Sequence, residues 1–146
     1  MMESAIQGVE PLLAKLVGMA ARARNSQSAL AEAGEAMIRS IQRNIDVGGR
    51  PAFKPLAEST LRQNPGGSIL NRSGDLRDSF VPHVRSRDTV SADSNVIYGP
   101  RQHFGYDAPE GATGRGYSNT PARPFATIPD EDVPNIVEPL ANHIWQ

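Results

Sequence analysis

The chain has 146 residues, of which 15 are basic and 16 acidic, and its formal net charge is −1 at neutral pH. This length favours a single domain spanning residues 1–146, and the charge balance does not favour a dedicated nucleic-acid binder. The absence of cysteine excludes disulfides and Cys-ligated zinc. No apolar run approaches the roughly 20 residues of a membrane span, and residues 1–15 lack the pattern of a signal peptide.

The apolar content predicts a thin core. Leu, Ile, Val and Phe make up about 21% of the chain, close to the roughly 20% below which highly charged chains are disordered. Because the charges nearly cancel, a folded domain is expected. A thin core also suits a subunit that buries more of its surface against neighbours.

Two amphipathic helices are predicted near the N-terminus. In residues 3–22 apolar side chains recur at i, i+3, i+4 and i+7, and Pro11 favours a start near Val9 because proline is tolerated in a first turn. The second helix is expected over residues 28–45. Gly34 indicates close packing there, since glycine costs about 1 kcal/mol relative to alanine in a helix.

In the middle of the chain, the spacing of apolar residues changes from a helical to an alternating pattern. A short helix is predicted over residues 56–63, followed by a loop at 64–67. Residues 79–104 alternate between apolar and polar side chains, which predicts a hairpin or a three-stranded meander, with residues 121–127 as a further strand. Pro82 favours an edge position, because proline cannot donate to a ladder.

The C-terminal part is predicted to be a loop and then a helix. Residues 105–120 are rich in glycine, and we expect this long loop to be flexible in the isolated subunit. The last helix should begin near Asp130, and Pro139 should bend it or divide it into two pieces. The fold class is therefore α+β: two N-terminal helices, a small antiparallel sheet, a long Gly-rich loop and a C-terminal helix. The core is expected to include Phe80, Val84, Val90, Ile97, Phe104, Phe125, Ile136 and Leu140.

Residues 121–132, named the docking segment here, are the most informative part of the chain. Pro121 and Pro124 fix their own φ angles and favour extended conformations in the residues before them. Three consecutive acidic residues end the segment, where negative charge favours a helix N-terminus. The segment has no obvious catalytic group, so it is expected to dock rather than react.

The sequence has no recognisable catalytic or metal-binding constellation. The three histidines are not paired at metalloprotease spacing, and no P-loop or nucleophile elbow is present. We therefore expect no enzymatic activity, no metal and no cofactor. A hydrolase acting on cell wall is an alternative, which would depend on His83 and His103.

Arginine provides every cation between residues 61 and 125, whereas residues 126–146 have only acidic charges. Arginine can pair in a bidentate manner across an interface or contact phosphate. One alternative is therefore a nucleic-acid-binding module that uses an Arg-rich hairpin. The interface candidates are Arg77, Arg85, Arg87, Arg101, Arg115, Arg123 and Phe125.

Four segments follow one another along the chain: Ile41 to Leu56 through Gly48-Gly49, with Ser59-Thr60; Ile69-Leu-Asn-Arg-Ser-Gly-Asp-Leu76 with Ser79-Phe80; Val96-Ile-Tyr98 to Phe104-Gly105; and Pro121-Ala-Arg-Pro-Phe125 with Asp130-Glu-Asp132. In this order they resemble the phage virion morphogenesis and tail completion family, and together they cover about residues 38–145. Phe53 stands where the family pattern has Trp, and Pro134 and Pro139 interrupt a helix that is usually regular.

The resemblance implies a structural, non-catalytic protein of the head–tail junction or the tail end. It implies assembly into a ring with other copies of the chain and contact with head–tail connector or tail proteins. DNA would pass through the lumen without sequence-specific binding, and no membrane would be involved. The expected location is the virion, with assembly in the host cytoplasm.

Overall fold

A computed structural model describes residues 9–114 and 116–146, and it confirms the α+β class. The helices are α1 (Val9–Arg24), α2 (Gln27–Asp46), α3 (Glu58–Gln63), α4 (Asp75–Asp78), α5 (Gly99–Phe104) and α6 (Val133–Trp145), and the strands are β1 (Val81–Val84) and β2 (Val90–Asp93). A 3₁₀ turn, Asp130–Asp132, precedes α6. Both N-terminal helices and the short helix α3 were predicted, whereas α4 was not.

Helix α2 is the centre of the fold, and it packs against α6, both strands and α4. Its buried face includes Leu30, Ile38, Ile41 and Ile45. A Cβ atom on Gly34 would lie 2.8 Å from Pro82 Cβ and 2.8 Å from Val90 Cγ2. The hairpin therefore lies directly on the helix, and the prediction of close packing at Gly34 is confirmed.

The sheet is a two-stranded antiparallel hairpin that pairs Val81 with Asp93 and Val84 with Val90. Of the two alternatives predicted for residues 79–104, the hairpin is confirmed and the three-stranded meander was wrong, because the chain turns after β2 and enters α5. Pro100 occupies the first turn of α5, where its fixed φ suits a helix and its missing donor is harmless. Residues 121–127 are not a strand either; outside the hairpin, the described residues pair only in an isolated bridge between Tyr106 and Thr120.

Helix α6 is continuous from Val133 to Trp145, so the division into two short pieces was wrong, whereas the alternative of a bend at Pro139 stays a prediction. Pro134 lies in its first turn, where no intrahelical donor is needed. Pro139 lies inside the helix and donates no backbone hydrogen bond. Packing of α6 against α2 and α1 offsets this loss.

The main apolar cluster lies at the C-terminal half of α2 and contains Ile41, Ile45, Phe53, Leu76 and Phe125. Of the predicted core residues, Phe125 is buried, and Phe80, Val90, Ile136 and Leu140 are partly buried. Three predictions were wrong: Val84 is exposed, Ile97 is 97% exposed and Phe104 is 78% exposed. The last two face solvent because α5 forms where a core strand was expected.

Candidate functional site

The docking segment is anchored by buried side chains inside the subunit. Arg123 is buried, and its Nε and Nη2 atoms donate to the carbonyl oxygens of Lys54 (2.9 Å) and Pro55 (3.1 Å). Phe125 is 3% exposed and packs edge-on to Phe80, with ring centroids 6.2 Å apart. These two interface candidates therefore hold the segment against its own chain.

Asn44, on α2, fixes the same segment by its backbone. Its side chain is completely buried, and Nδ2 donates to the carbonyl oxygens of Phe125 and Thr127, both at 2.8 Å. Its Oδ1 accepts a 2.8 Å hydrogen bond from Arg50 Nε. Both the amide nitrogen and the amide oxygen of this buried side chain therefore have hydrogen-bond partners, as buried polar groups require.

Arg50 links Asn44 to the acidic end of the docking segment. Its Nη1 lies 2.6 Å from Glu131 Oε1, and its Nη2 lies 2.6 Å from Asp132 Oδ2. Ser40 Oγ donates to the same Asp132 oxygen at 2.6 Å. The hydrogen bonds from Arg50 and from Ser40 hold the pKa of the Asp132 carboxyl below its ordinary value of 3.8, because both stabilise the ionised form.

The three acidic residues were predicted to stabilise a helix N-terminus, and sequence reasoning missed that two of them, Glu131 and Asp132, are partners of Arg50. The sequence contained one signal for this network: a polar asparagine on the apolar face of α2, between Ile41 and Ile45. A buried polar residue at such a position needs a specific partner. The sequence did not indicate which residue that partner would be.

Other predicted interface arginines are paired within the chain. Arg77 forms a fork with Asp46, at 2.6 and 2.9 Å, and contacts Asp78. Arg85 pairs with Asp93 and donates to Ser91 Oγ at 2.9 Å.

The remaining arginine candidates differ in their placement. Arg87 is exposed, and its carbonyl oxygen accepts a hydrogen bond from Ser26 Oγ. Arg101 lies at the base of the glycine-rich loop and bonds to its backbone. Arg115 lies outside the described residues.

The glycine-rich loop is closed at its base. Tyr106 and Thr120 exchange two backbone hydrogen bonds of 2.8 and 2.7 Å. Arg101 stacks 4.3 Å from the Tyr106 ring centroid and donates to the carbonyl oxygens of Gly116 and Ser118. The backbone bridge and Arg101 thus fix the base of the loop together. The mobility expected for the rest of the loop stays a prediction.

Helix α1 directs its apolar face away from the subunit. No residue of α1 is buried. The helix contacts α6, and its least exposed residues are Gly18, Met19 and Arg22; Arg22 Nε donates to Ile144 O at 3.1 Å. The outward face, named the apolar stripe here, consists of Val9, Leu12, Leu13, Leu16 and Val17, all of which are exposed, Val17 by 68%.

A shallow apolar groove lies near the C-terminal half of α2. It has a volume of about 360 Å³, and it lies between the end of α4, helix α5 and the docking segment. His103 forms part of it, and burial lowers the pKa of this histidine, which favours the neutral ring. The apolar side chains that line the groove include Leu76, Phe80, Val96, Phe104 and Phe125.

A wider open cleft of about 640 Å³ lies between residues 55–76 and residues 98–123. Of its few charged lining residues, Arg123 is already bonded to backbone carbonyls. Within the described ranges, no group of three or more His, Cys, Asp or Glu side chains could hold a metal ion. No described helix is long and apolar enough to cross a membrane.

Comparison with known families identifies the chain. The model of the phage virion morphogenesis family matches residues 5–144, nearly the whole length. The chain belongs to the phage virion morphogenesis family. This match confirms the resemblance seen in the four sequence segments and extends it over α1.

Membership in the phage virion morphogenesis family indicates a structural role in phage assembly and an association with the virion. Searches of curated proteins and of solved structures found no match.

Proposed function

We propose that this protein is a structural subunit of the phage head–tail junction or tail end, and that its copies assemble into a ring during virion morphogenesis. The observation that carries the proposal is the outward apolar stripe of α1. Exposed apolar area costs roughly 25 cal/mol for each Å² that could be buried. A contiguous apolar patch on a soluble subunit marks an interaction surface.

The presence of two different apolar surfaces on one chain supports a head-to-tail contact. Helix α1 joins the N-terminal end of α2 next to Ser26, and the groove adjoins the cluster formed by Ile41 and Ile45 near the other end. A helix of 20 residues such as α2 is about 30 Å long. Contacts between two different patches of identical subunits are heterologous, and they close into a ring when the rotation permits.

The contacts of the arginine side chains favour a structural role over nucleic-acid binding. Arg77, Arg85 and Arg123 already have partners within the chain. The formal net charge of −1 provides little general attraction for phosphates. A ring of such subunits would let DNA pass through its lumen without sequence-specific binding, and its other partners would be head–tail connector or tail proteins.

A phage that lacks the gene for this protein tests the proposal. Electron microscopy of the lysate should show DNA-filled heads and tails that have not joined, or tails of abnormal length. Supplying the protein from a plasmid should restore virions, and so should Ala14→Glu, because Ala14 is exposed but lies off the stripe. The variant Leu16→Glu should not restore them. Normal virions without the protein would contradict the proposal.

A further inference from the structure

The N-terminal half of α1 is exposed on all sides. Every residue from 9 to 17 is exposed, including those that flank the stripe, whereas Gly18 and Met19 are partly buried. Isolated helices of this length are marginally stable in water. The part of α1 formed by residues 9–17, named the arm here, therefore gains stability by packing against a partner.

The pattern of the arm suits a groove. Its leucines at positions 12, 13 and 16 follow the i, i+1, i+4 spacing of one helical face. Amphipathic helices that bind partners lay such a face into an apolar groove, with anchors one helical turn apart. Lys15 lies off the stripe and Glu10 lies at its edge, so an arm bound in this way would keep Lys15 in water and place Glu10 at the rim of the contact.

The groove offers a matching surface on the same chain. Among the described residues that line it there is no Asp, Glu, Lys or Arg, so an apolar ligand would bury no unpaired charge there. Phe104 stands at the groove with 78% of its surface exposed, and the neighbouring Ile97 is almost fully exposed. Burying these two side chains against an apolar partner would be energetically favourable.

We infer that the arm of one copy binds in the groove of the next copy, with Leu12, Leu13 and Leu16 packed against Phe104. This inference rests on the proposed self-assembly and names its interface. A second copy is the occupant that fits, because the arm and Phe104 are both exposed in the described subunit and so do not cover each other. Pairing of two arms with each other would leave Phe104 and Ile97 uncovered.

Cross-linking between singly substituted subunits tests the inference, because the natural chain has no cysteine. Subunits with Leu16→Cys and subunits with Phe104→Cys, distinguished by a tag, are mixed and oxidised. The expected result is a mixed disulfide dimer. Its yield should be several-fold higher than that from Ala14→Cys with Phe104→Cys, since Ala14 lies off the stripe.

The possible outcomes separate this inference from the proposed function. A dominant disulfide between two Leu16→Cys subunits would overturn arm-in-groove binding in favour of arm pairing. No mixed disulfide from a protein that is still oligomeric would overturn the groove as the receptor, while self-assembly would stand. No disulfide from a strictly monomeric protein would overturn both.

A complementation experiment avoids dependence on cysteine geometry. Leu16→Glu impairs the arm but leaves the groove, and Phe104→Glu impairs the groove but leaves the arm. Both side chains are at least half exposed, so the subunit should still fold. Each variant alone should be monomeric, and their mixture should form a dimer through the one intact interface. A mixture that stays monomeric, while the natural protein is oligomeric, would contradict the inference.

Discussion

Arg50 and Asp132 form a 2.6 Å ion pair although 82 positions separate them in the sequence. The pair fastens the end of the docking segment to α2 at the point where the 3₁₀ turn leads into α6. Since Asn44 holds the middle of the same segment, α2 determines its path over most of its length. The position of α6, and of helix α1 that packs on α6, thus depends on this polar network.

Replacing Asp132 should destabilise the fold. Asp132→Asn removes the charge that compensates the partly buried Arg50, and loss of one partner from a buried ion pair costs about 3 kcal/mol. Urea unfolding should show a lower midpoint with an unchanged slope. Asp130→Asn is the matched control, because Asp130 is exposed in the same 3₁₀ turn and its loss should change stability by about 0.5 kcal/mol or less. Equal stability of the two variants would contradict the role given to Arg50.

The same ion pair predicts how stability depends on pH. The folded-state pKa of Asp132 is below its ordinary value of 3.8, mainly because Arg50 donates a hydrogen bond to it. The stability that ionised Asp132 contributes to the fold is therefore fully present above pH 3.8, its ordinary pKa. This stability is lost as the pH falls through the lower pKa of the folded state. Urea midpoints measured from pH 6 to pH 2.5 should fall less steeply for Asp132→Asn than for the natural protein. Parallel curves would show that Asp132 does not contribute.

Replacing two helical glycines by alanine should change the stability of the protein in opposite directions. Gly34→Ala places a Cβ 2.8 Å from Pro82 and Val90, and overpacking of this kind costs about 1–3 kcal/mol, more than the gain in helix propensity. In Gly18→Ala, the nearest atom is the flexible end of Arg22 at 3.3 Å, so the propensity gain should dominate. Thermal unfolding should show a lower midpoint for Gly34→Ala and an equal or higher one for Gly18→Ala. A stabilising effect of Gly34→Ala would contradict the packing of the hairpin on α2.

The glycine-rich loop should divide into a protected base and an unprotected tip. The paired amides of Tyr106 and Thr120 should exchange slowly in the isolated protein, and the amides of residues 110–114 should exchange rapidly. Arg101→Lys should accelerate exchange at the base several-fold, because lysine cannot reproduce the fork that reaches Gly116 and Ser118. Strong protection across the tip would refute the predicted flexibility.

The sequence predicted the elements with strong local patterns and failed where two local signals competed. The periodic apolar residues of α1 and α2 were sufficient to predict both helices. At residues 96–104, alternation favoured a strand, but Pro100 favours the first turn of a helix, and the helix formed. At Pro139 the local cost of proline favoured a break, but packing of α6 against α2 and α1 kept the helix continuous.

The candidate site was only partly accessible to sequence reasoning. Periodicity showed that α1 has an apolar face, but it does not tell whether that face points toward the core or toward another subunit. Ile97 and Phe104 were assigned to the core for the same reason, since hydrophobicity alone does not distinguish a core from an interface. The contact between Arg50 and Asp132 joins residues far apart in the chain, and no local pattern encodes it.

The mass of the purified protein in solution, measured by light scattering during size-exclusion chromatography, tests most directly whether the apolar stripe drives self-assembly. We predict an oligomer of uniform size for the natural chain and for Ala14→Glu, and a monomer for Leu16→Glu. A natural protein that is monomeric at every concentration, or a Leu16→Glu variant that assembles as the natural protein does, would contradict the account.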